Sequence, residues 1–251
     1  MSLWPGLPHD ASQDGHRIVS LLHSGHLLAG SIFAAALFAL GLAVVLSARK
    51  RRPVAEFIPG DSRRSLWVAF GLSAMVFGGV DSRLAVRSLA DVEELFWNFG
   101  LPEADPQTVR IEVNAHQWAW DARYPGDDGL FETADDIVTW NDFKVPVGRK
   151  VLLQLTSTDV IHSFYLPNFM VKMDVVPGRV NQLWFQAKET GSFEVACSQH
   201  CGVAHYKMRA KLEVMTDETF REWSRWTSDN ARRGYDPSDT AAHWGWPWRP
   251  R

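Results

Sequence analysis

Residues 191 to 214 read GSFEVACSQHCGVAHYKMRAKLEV. Gly191 to Cys197 and Met208 to Val214 are short runs of the kind that form strands. The loop between them gathers two thiols, imidazoles and a thioether within residues 197 to 208. One strand therefore ends on Cys197 and the next opens on Met208, which puts a ligand-rich loop at one end of a β-structure. Cys197 and Cys201 are the only cysteines in the 251 residues.

Thiolate and thioether are soft ligands that select copper, and imidazole suits it too. Calcium, magnesium and manganese take carboxylates and carbonyls. Three other readings compete. Cys197 and Cys201 could form a disulfide on the oxidising side of a membrane. Structural zinc could use Cys197, Cys201, His205 and one more group, but it leaves Met208 without a role. A mononuclear blue copper site takes one Cys, two His and a weak axial Met, which leaves the second cysteine idle. Two thiolates on one loop can instead both bridge a pair of copper ions, leaving one imidazole and one weaker ligand for each metal. A second histidine is then needed. His162 is the candidate, in DVIHSFYLP (residues 159 to 167), between a strand-like Val151 to Thr156 and the turn at Pro177 and Gly178. Its plain alternative is an ordinary surface or core histidine.

From about Thr108 onward the chain is a series of short runs rich in Val, Ile, Phe and Trp, broken by Gly, Pro and Asp turns. Val109 to Val113, Asp142 to Pro146, Val151 to Thr156 and Val180 to Ala187 join the two runs above as strands of a sandwich or barrel. Thr216 caps a helical stretch from Asp217 to about Thr227, with acids in its first turn and Phe220 and Trp223 on one face. The tail from His243 to Arg251 is dense in Trp, and reads either as disordered when unbound or as a segment that docks on a partner.

The first part of the chain has a different character. Residues 27 to 46, LLAGSIFAAALFALGLAVVL, carry no charge. At about 1.5 Å per residue they span a hydrocarbon core of roughly 30 Å. Ser65 to Val80 is a shorter apolar run of about 24 Å, so a second span competes with a buried soluble helix. Arg49, Lys50, Arg51 and Arg52 lie between the two runs, and Arg63 and Arg64 flank the second, which marks the cytoplasmic side. Asp10, Asp14 and several histidines precede any apolar run, unlike a cleaved signal peptide. The expected organisation is an amino-terminal periplasmic segment (1–26), a transmembrane hairpin (27–85) with a basic cytoplasmic loop at about 47–64, a linker (86–107), a β-domain (108–215), and a helix with the Trp-rich tail (216–251).

Taken together, Asp159 to His162, Lys172 to Asp174 with Pro177, Gly178 and Arg179, the aromatic run His116 to Trp120, Cys197 to Met208 and the two apolar runs occur in the order found in cytochrome c oxidase subunit II. The chain resembles that family over almost its whole length. The resemblance implies a two-helix transmembrane hairpin followed by an all-β cupredoxin-like Greek-key sandwich. It implies a dinuclear copper A centre of two copper ions, bridged by Cys197 and Cys201, with His162 and His205 as terminal imidazoles and Met208 and the backbone carbonyl of Gln199 as weak ligands. His200 has no ligand counterpart. Trp118 matches the residue that receives electrons from cytochrome c, against a plain role in core packing. Ala119 stands where the family usually has another aromatic.

Cytochrome c presents lysines around its haem edge, so acids are expected at the docking surface. Asp121 and Asp159 are the acids assigned to docking. The run Asp127 to Asp136 reads as a solvated loop, and its spacing does not match an EF-hand.

The function implied is that of a haem-copper oxidase subunit II. Electrons from cytochrome c would pass to haem in subunit I, where oxygen is reduced and protons are pumped. The place is the inner membrane of a bacterium, with two spans and with both termini and the copper domain periplasmic. Two departures bear on this. Gln199 stands where the family has Glu, so magnesium at the subunit I interface is not carried over. Ser62 to Ser65 (SRRS) replaces a stretch that often holds an acid feeding a proton path. No Cys-x-x-Cys-His is present, which points away from covalent haem, and a net charge of −3 points away from nucleic acid. The chain holds no catalytic site of its own, so its partners are subunit I, other oxidase subunits, cytochrome c and the lipid membrane. The alternatives are a copper A subunit of a nitric oxide reductase and a membrane-tethered copper-binding module without a catalytic partner.

Overall fold

The computed structural model describes residues 6–48, 59–236 and 238. They form two units: Arg17–Leu95, and a second made of Met1–His16 together with Phe96–Arg251. The basic stretch from Arg49 to Arg52 and the tail from His243 to Arg251 lie outside the described residues.

The first unit is helical. Helix α1 runs Gly15–Leu46 and helix α2 runs Arg63–Trp97, each long and apolar enough to cross a membrane. Phe33, Phe38, Trp67, Phe70 and Phe77 are exposed, an arrangement that suits lipid and not water. The Ser62 hydroxyl caps α2 by accepting from Ser65 N.

Residues 86–107 differ from the expected linker. Helix α2 continues through Ser82–Asp91 and Val92–Trp97, and Gly100–Ala104 is helical again. No proline or glycine stands between Asp81 and Asn98 to stop it. The glycine pair Gly78 and Gly79 falls in a π-helical turn, Val76–Asp81. Beyond that turn, Arg17 of α1 reaches Asp91 (2.6 Å) and Glu94 (2.8 Å) of α2. Charges outside the apolar stretches thus tie the two helices together.

The second unit is a sandwich of two five-stranded sheets. One has the order β3-β2-β1-β5-β8, from Ile137–Trp140, Ala119–Tyr124, Val109–His116, Lys150–Ser157 and Asn181–Gln186. The other has the order β4-β10-β9-β6-β7, from Asp142–Pro146, Arg209–Met215, Gly191–Cys197, His162–Leu166 and Val171–Val175. Strands β1 and β5 pair in parallel, as do β10 and β4, while the remaining neighbours are antiparallel. Inward residues of both sheets, among them Ile111, Val113, Phe143, Leu153, Leu166, Val195 and Leu212, form one core. Burying each such side chain contributes about 1.5–3 kcal/mol. Trp120 packs edge-on against Phe164 (5.1 Å between centroids), and Phe164 against Phe143 (5.3 Å).

Strand β2 was not singled out in the sequence because neither of its faces meets water. Trp120, Ala122 and Tyr124 face the core, and Arg123 on the other face is also buried, with Nε 2.7 Å from Glu112 Oε2 on β1. The two stand opposite each other in the ladder. Residues 125–136 help to cover this pair: Asp136 lies 3.7 Å from Arg123, and the Phe131 ring sits 5.7 Å from its guanidinium.

The amino-terminal residues belong to this unit too. Ala11 is fully buried, its N–H donates to Asn168 O (2.8 Å), and its carbonyl accepts from Lys188 N (2.9 Å). Asp10 pairs with Lys188 at 3.0 Å. At the other end, Thr216 caps the helix Asp217–Gly234 by accepting from Thr219 N. Trp223 of that helix packs on Tyr124 at 5.3 Å. The helix outruns Thr227 because Ser228 is buried and bonds Asp135, which also takes Arg232 at 2.8 Å.

Candidate metal centre

Three neighbouring strands of the second sheet, β10, β9 and β6, bring the ligand-type residues together. His162 opens β6, Cys197 closes β9, and Met208 immediately precedes β10. Cys197 N donates to Met208 O (3.1 Å), closing the loop at its neck, and Ser198 N donates to Ser163 O (3.0 Å), joining it to β6. Within the loop, His205–Lys207 is a 3-10 turn, fixed by His205 N on Gly202 O and Met208 N on His205 O, both 3.1 Å. Ligands held on such a frame keep their positions when the charge of a bound ion changes.

The donor atoms converge. Cys197 Sγ lies 3.7 Å from Cys201 Sγ, a gap that one ion with bonds of about 2.3 Å to each sulfur can bridge. Cys201 Sγ is 3.6 Å from His205 Nδ1 and 3.7 Å from Met208 Sδ. His162 Nδ1 is 3.1 Å from Met208 Sδ and 4.0 Å from Cys197 Sγ, and Gln199 O is 3.2 Å from Cys197 Sγ. His162, Cys197 and Cys201 are buried and could hold a metal ion, their donor atoms all within 4.8 Å of one another. No carboxylate belongs to this set. Two sulfurs, a thioether, two imidazoles and a carbonyl number two more donors than a tetrahedral zinc site uses, and their softness fits copper.

The protons on these groups follow from the same geometry. Burial opposes the Cys197 thiolate, but hydrogen bonds, that of His162 foremost, pull this thiol down to about 6. Burial and the charge on Cys197 push Cys201 up to about 12. Without metal, the pair therefore keeps one proton at neutral pH. Burial also opposes a charged His162, yet Cys197 and Asp159 raise it above its ordinary value.

Among curated proteins, the alternative cytochrome c oxidase subunit 2 of Bradyrhizobium diazoefficiens is 31% identical over 218 residues, covering 78% of this chain and 75% of that protein. The family profile described as cytochrome C oxidase subunit II, periplasmic domain, matches residues 109–215. The chain belongs to the cytochrome c oxidase subunit II family. A subunit 2 from Cereibacter sphaeroides is 33% identical over 159 residues, or 51% of this chain and 52% of that one. A solved periplasmic domain of subunit II from Bradyrhizobium japonicum aligns at 36% identity over 49% of this chain and 94% of that chain, with a TM-score of 0.43.

In this subunit II chain, the other candidate residues fall in two places. Trp118, half-buried in the β1–β2 turn, donates its indole N–H to the Cys201 carbonyl (3.3 Å), and Gln117 Nε2 donates to the same oxygen (2.8 Å). Gly202 makes this approach possible. Its φ is +122°, and a Cβ there would lie 2.8 Å from Gln117 Nε2 and 3.2 Å from Trp118 Cζ2. Asp159 sits beside the same cluster: Oδ1 accepts from His162 Nε2 (2.8 Å) and Val160 N (2.5 Å), and Oδ2 from Gln117 N (2.6 Å). Burial would raise this carboxyl, but these bonds, His162's first, outweigh it and hold it below the usual carboxylate range. A carboxylate on Nε2 selects the tautomer whose Nδ1 is free to bind metal.

Asp121 is not part of this cluster. It lies on β2 and pairs with His116 Nε2 (3.2 Å) and Asn114 Nδ2 (3.4 Å). His200 is exposed, its ring 5.5 Å from that of His205. Gln117 entered the sequence reading only as part of the aromatic run, and Gly202 only as a loop residue. The signal for both was adjacency to Trp118 and Cys201.

Proposed function

We propose that this chain is the electron-input subunit of a haem-copper cytochrome c oxidase. Electrons from cytochrome c enter at Trp118 and leave through a dinuclear copper A centre toward haem in subunit I. The observation that carries the reading is the convergence of six donors without a carboxylate beneath an indole bonded to the Cys201 carbonyl. Cys197 and Cys201 would bridge two copper ions, with His162 and His205 as terminal ligands and Met208 and the Gln199 carbonyl as weak ones. When bound, two coppers sharing one electron supply a one-electron store whose bond lengths change little on reduction.

The rest is the work of this chain's own residues. Burial of His162, Cys197, Cys201 and Met208 excludes water from the donors. Asp159 orients His162 and links it to the turn that bears Trp118. Trp118 reaches a ligand-bearing residue through a single hydrogen bond, a short route of one hydrogen bond and a few covalent bonds toward the metal ligands. Asp121 supplies negative charge on the strand that follows Trp118, which favours encounter with a lysine-rich donor. Helices α1 and α2 serve as the two spans, with the basic loop cytoplasmic and both termini and the copper domain periplasmic. Gln199 contributes its backbone carbonyl alone, so no magnesium ligand is assigned to it.

The test uses the full chain in detergent, loaded with copper and examined by electron paramagnetic resonance. A seven-line hyperfine pattern, from one electron shared by two copper nuclei, is expected; a four-line pattern would mean mononuclear copper and overturn the proposal. Trp118→Leu should leave that spectrum intact and slow reduction by cytochrome c in stopped flow. An unchanged rate would remove Trp118 from the path.

A further inference from the structure

On the β-unit, a cleft of about 450 Å³ opens between the start of β1, the end of β2, the turn before β5 and the carboxyl-terminal helix. It lies at the far end of β1 from Gln117 and Trp118. Eight strand residues separate the two ends, or about 26 Å at roughly 3.3 Å each. Its lining includes four arginines, Arg110, Arg149, Arg221 and Arg225, together with Thr108 and Ser224.

The acids nearby offset only part of that charge. Asp217 is bonded to Arg149 (3.1 Å) and to Arg221. Asp127, which also lines the cleft, lies 3.7 Å from Arg232. Among the described residues Arg110 and Arg225 have no carboxylate partner, and Arg225 donates to the Arg221 carbonyl at 3.4 Å. The Thr108 hydroxyl is buried and bonds nothing. On a chain whose net charge is −3, two arginines without a carboxylate partner in one concavity are a local excess of donors.

We infer that this cleft is a second binding site, separate from the metal centre, for a phosphate-bearing anion. Guanidinium groups match phosphate oxygens two at a time, and neither Arg110 nor Arg225 spends its fork on a carboxylate among the described residues, Arg225 using only Nε on the Arg221 carbonyl. The volume falls within the range of about 300–1,000 Å³ typical of small-ligand sites. The same chemistry would accept a soluble phosphorylated compound or the headgroup of an anionic phospholipid.

The experiment is calorimetric titration of inorganic pyrophosphate into the copper-loaded full chain held in phosphatidylcholine nanodiscs. Saturable binding is expected, weakened about tenfold or more by Arg110→Gln combined with Arg225→Gln, as loss of charge-assisted hydrogen bonds requires. The copper spectrum reports that the variant is folded, and Arg225→Gln alone, at an exposed position, is the second variant. Repeating the titration in discs that contain phosphatidylglycerol separates the sources. Weakened pyrophosphate binding there assigns the site to a lipid headgroup; undiminished binding assigns it to a soluble phosphate compound. Absence of saturable binding, or equal binding by the folded double variant, would overturn the proposal.

Discussion

Residues 197–208 and 125–136 are loops of equal length, and each draws ligand-type atoms toward a point. In the first, the two thiols, Met208 Sδ and the inward nitrogens of His162 and His205 meet chiefly one another. In the second, the acids are already occupied. Asp135 Oδ2 accepts from Asp127 N (2.7 Å), Ser228 Oγ (3.1 Å) and Arg232 Nη2 (2.8 Å), and Asp135 Oδ1 from Thr133 Oγ1 (2.8 Å). Asp136 Oδ2 accepts from Glu132 N at 2.8 Å. Burial would raise Asp135, yet these bonds, Thr133's foremost, draw it down to about 2. Convergence alone does not make a metal site. Donors left without internal partners do, because only they gain by binding an ion.

The sharpest break of this contrast is Cys197→Ser or Cys201→Ser. Each should abolish the dinuclear copper spectrum and weaken copper binding by more than about a hundredfold, beyond what an outer-shell loss produces. Retention of the seven-line spectrum would show that the sulfurs are not the bridge. Next comes Asp159→Asn, which removes the charge behind His162. Copper affinity, measured by competition with a chelator, should fall about 10–100-fold. If Asp159 serves only to dock cytochrome c, affinity would stay and only the salt dependence of reduction would change.

Acidity sharpens the contrast further. With Cys201 pushed up by burial and by the charge on Cys197, and His162 raised against its burial by Cys197 and Asp159, copper displaces protons from the ligand set. Affinity should therefore rise with pH across neutrality, by about tenfold per unit for each proton displaced. A pH-independent affinity from 6.5 to 8.5 (roughly the range a competition titration can reach) would contradict that assignment. Asp135→Ala should act on stability alone. Losing hydrogen bonds to a buried charge costs about 1.5–3 kcal/mol in urea unfolding, with the copper spectrum unchanged. The smallest expected effect is that of calcium, which should leave the melting temperature where it is; a clear rise would mean that the acidic loop is a site after all.

Legibility from sequence followed solvent exposure and chain distance. Asp142–Pro146 and Gly191–Cys197 are strands over the same residues that pattern alone marks out, because strand-favouring residues there are bounded by turn signals. Strand β2 escaped because the Glu112–Arg123 pair puts charge on a buried face. The helix past Ala85 reads as a linker because it is polar, though nothing up to Asn98 stops a helix. Asp159 reads from sequence as a docking acid, and only the structure adds that its oxygens accept from His162 and the Gln117 amide.

By itself the sequence determined the apolar helices, the run of short strands and the identity of the soft donors, since each depends on residue type and near-neighbour spacing. Only the tertiary structure decided which donors share a point and which acids are already bonded. It also decided that Trp118 rests on the Cys201 carbonyl and that residues 9–13 lace onto the sandwich. The physical reason is that these contacts join residues far apart in the chain, across strands whose pairing is set by burial of a common core. A polar group's partners, more than its type, decide whether it stays bonded within the fold or remains free to bind.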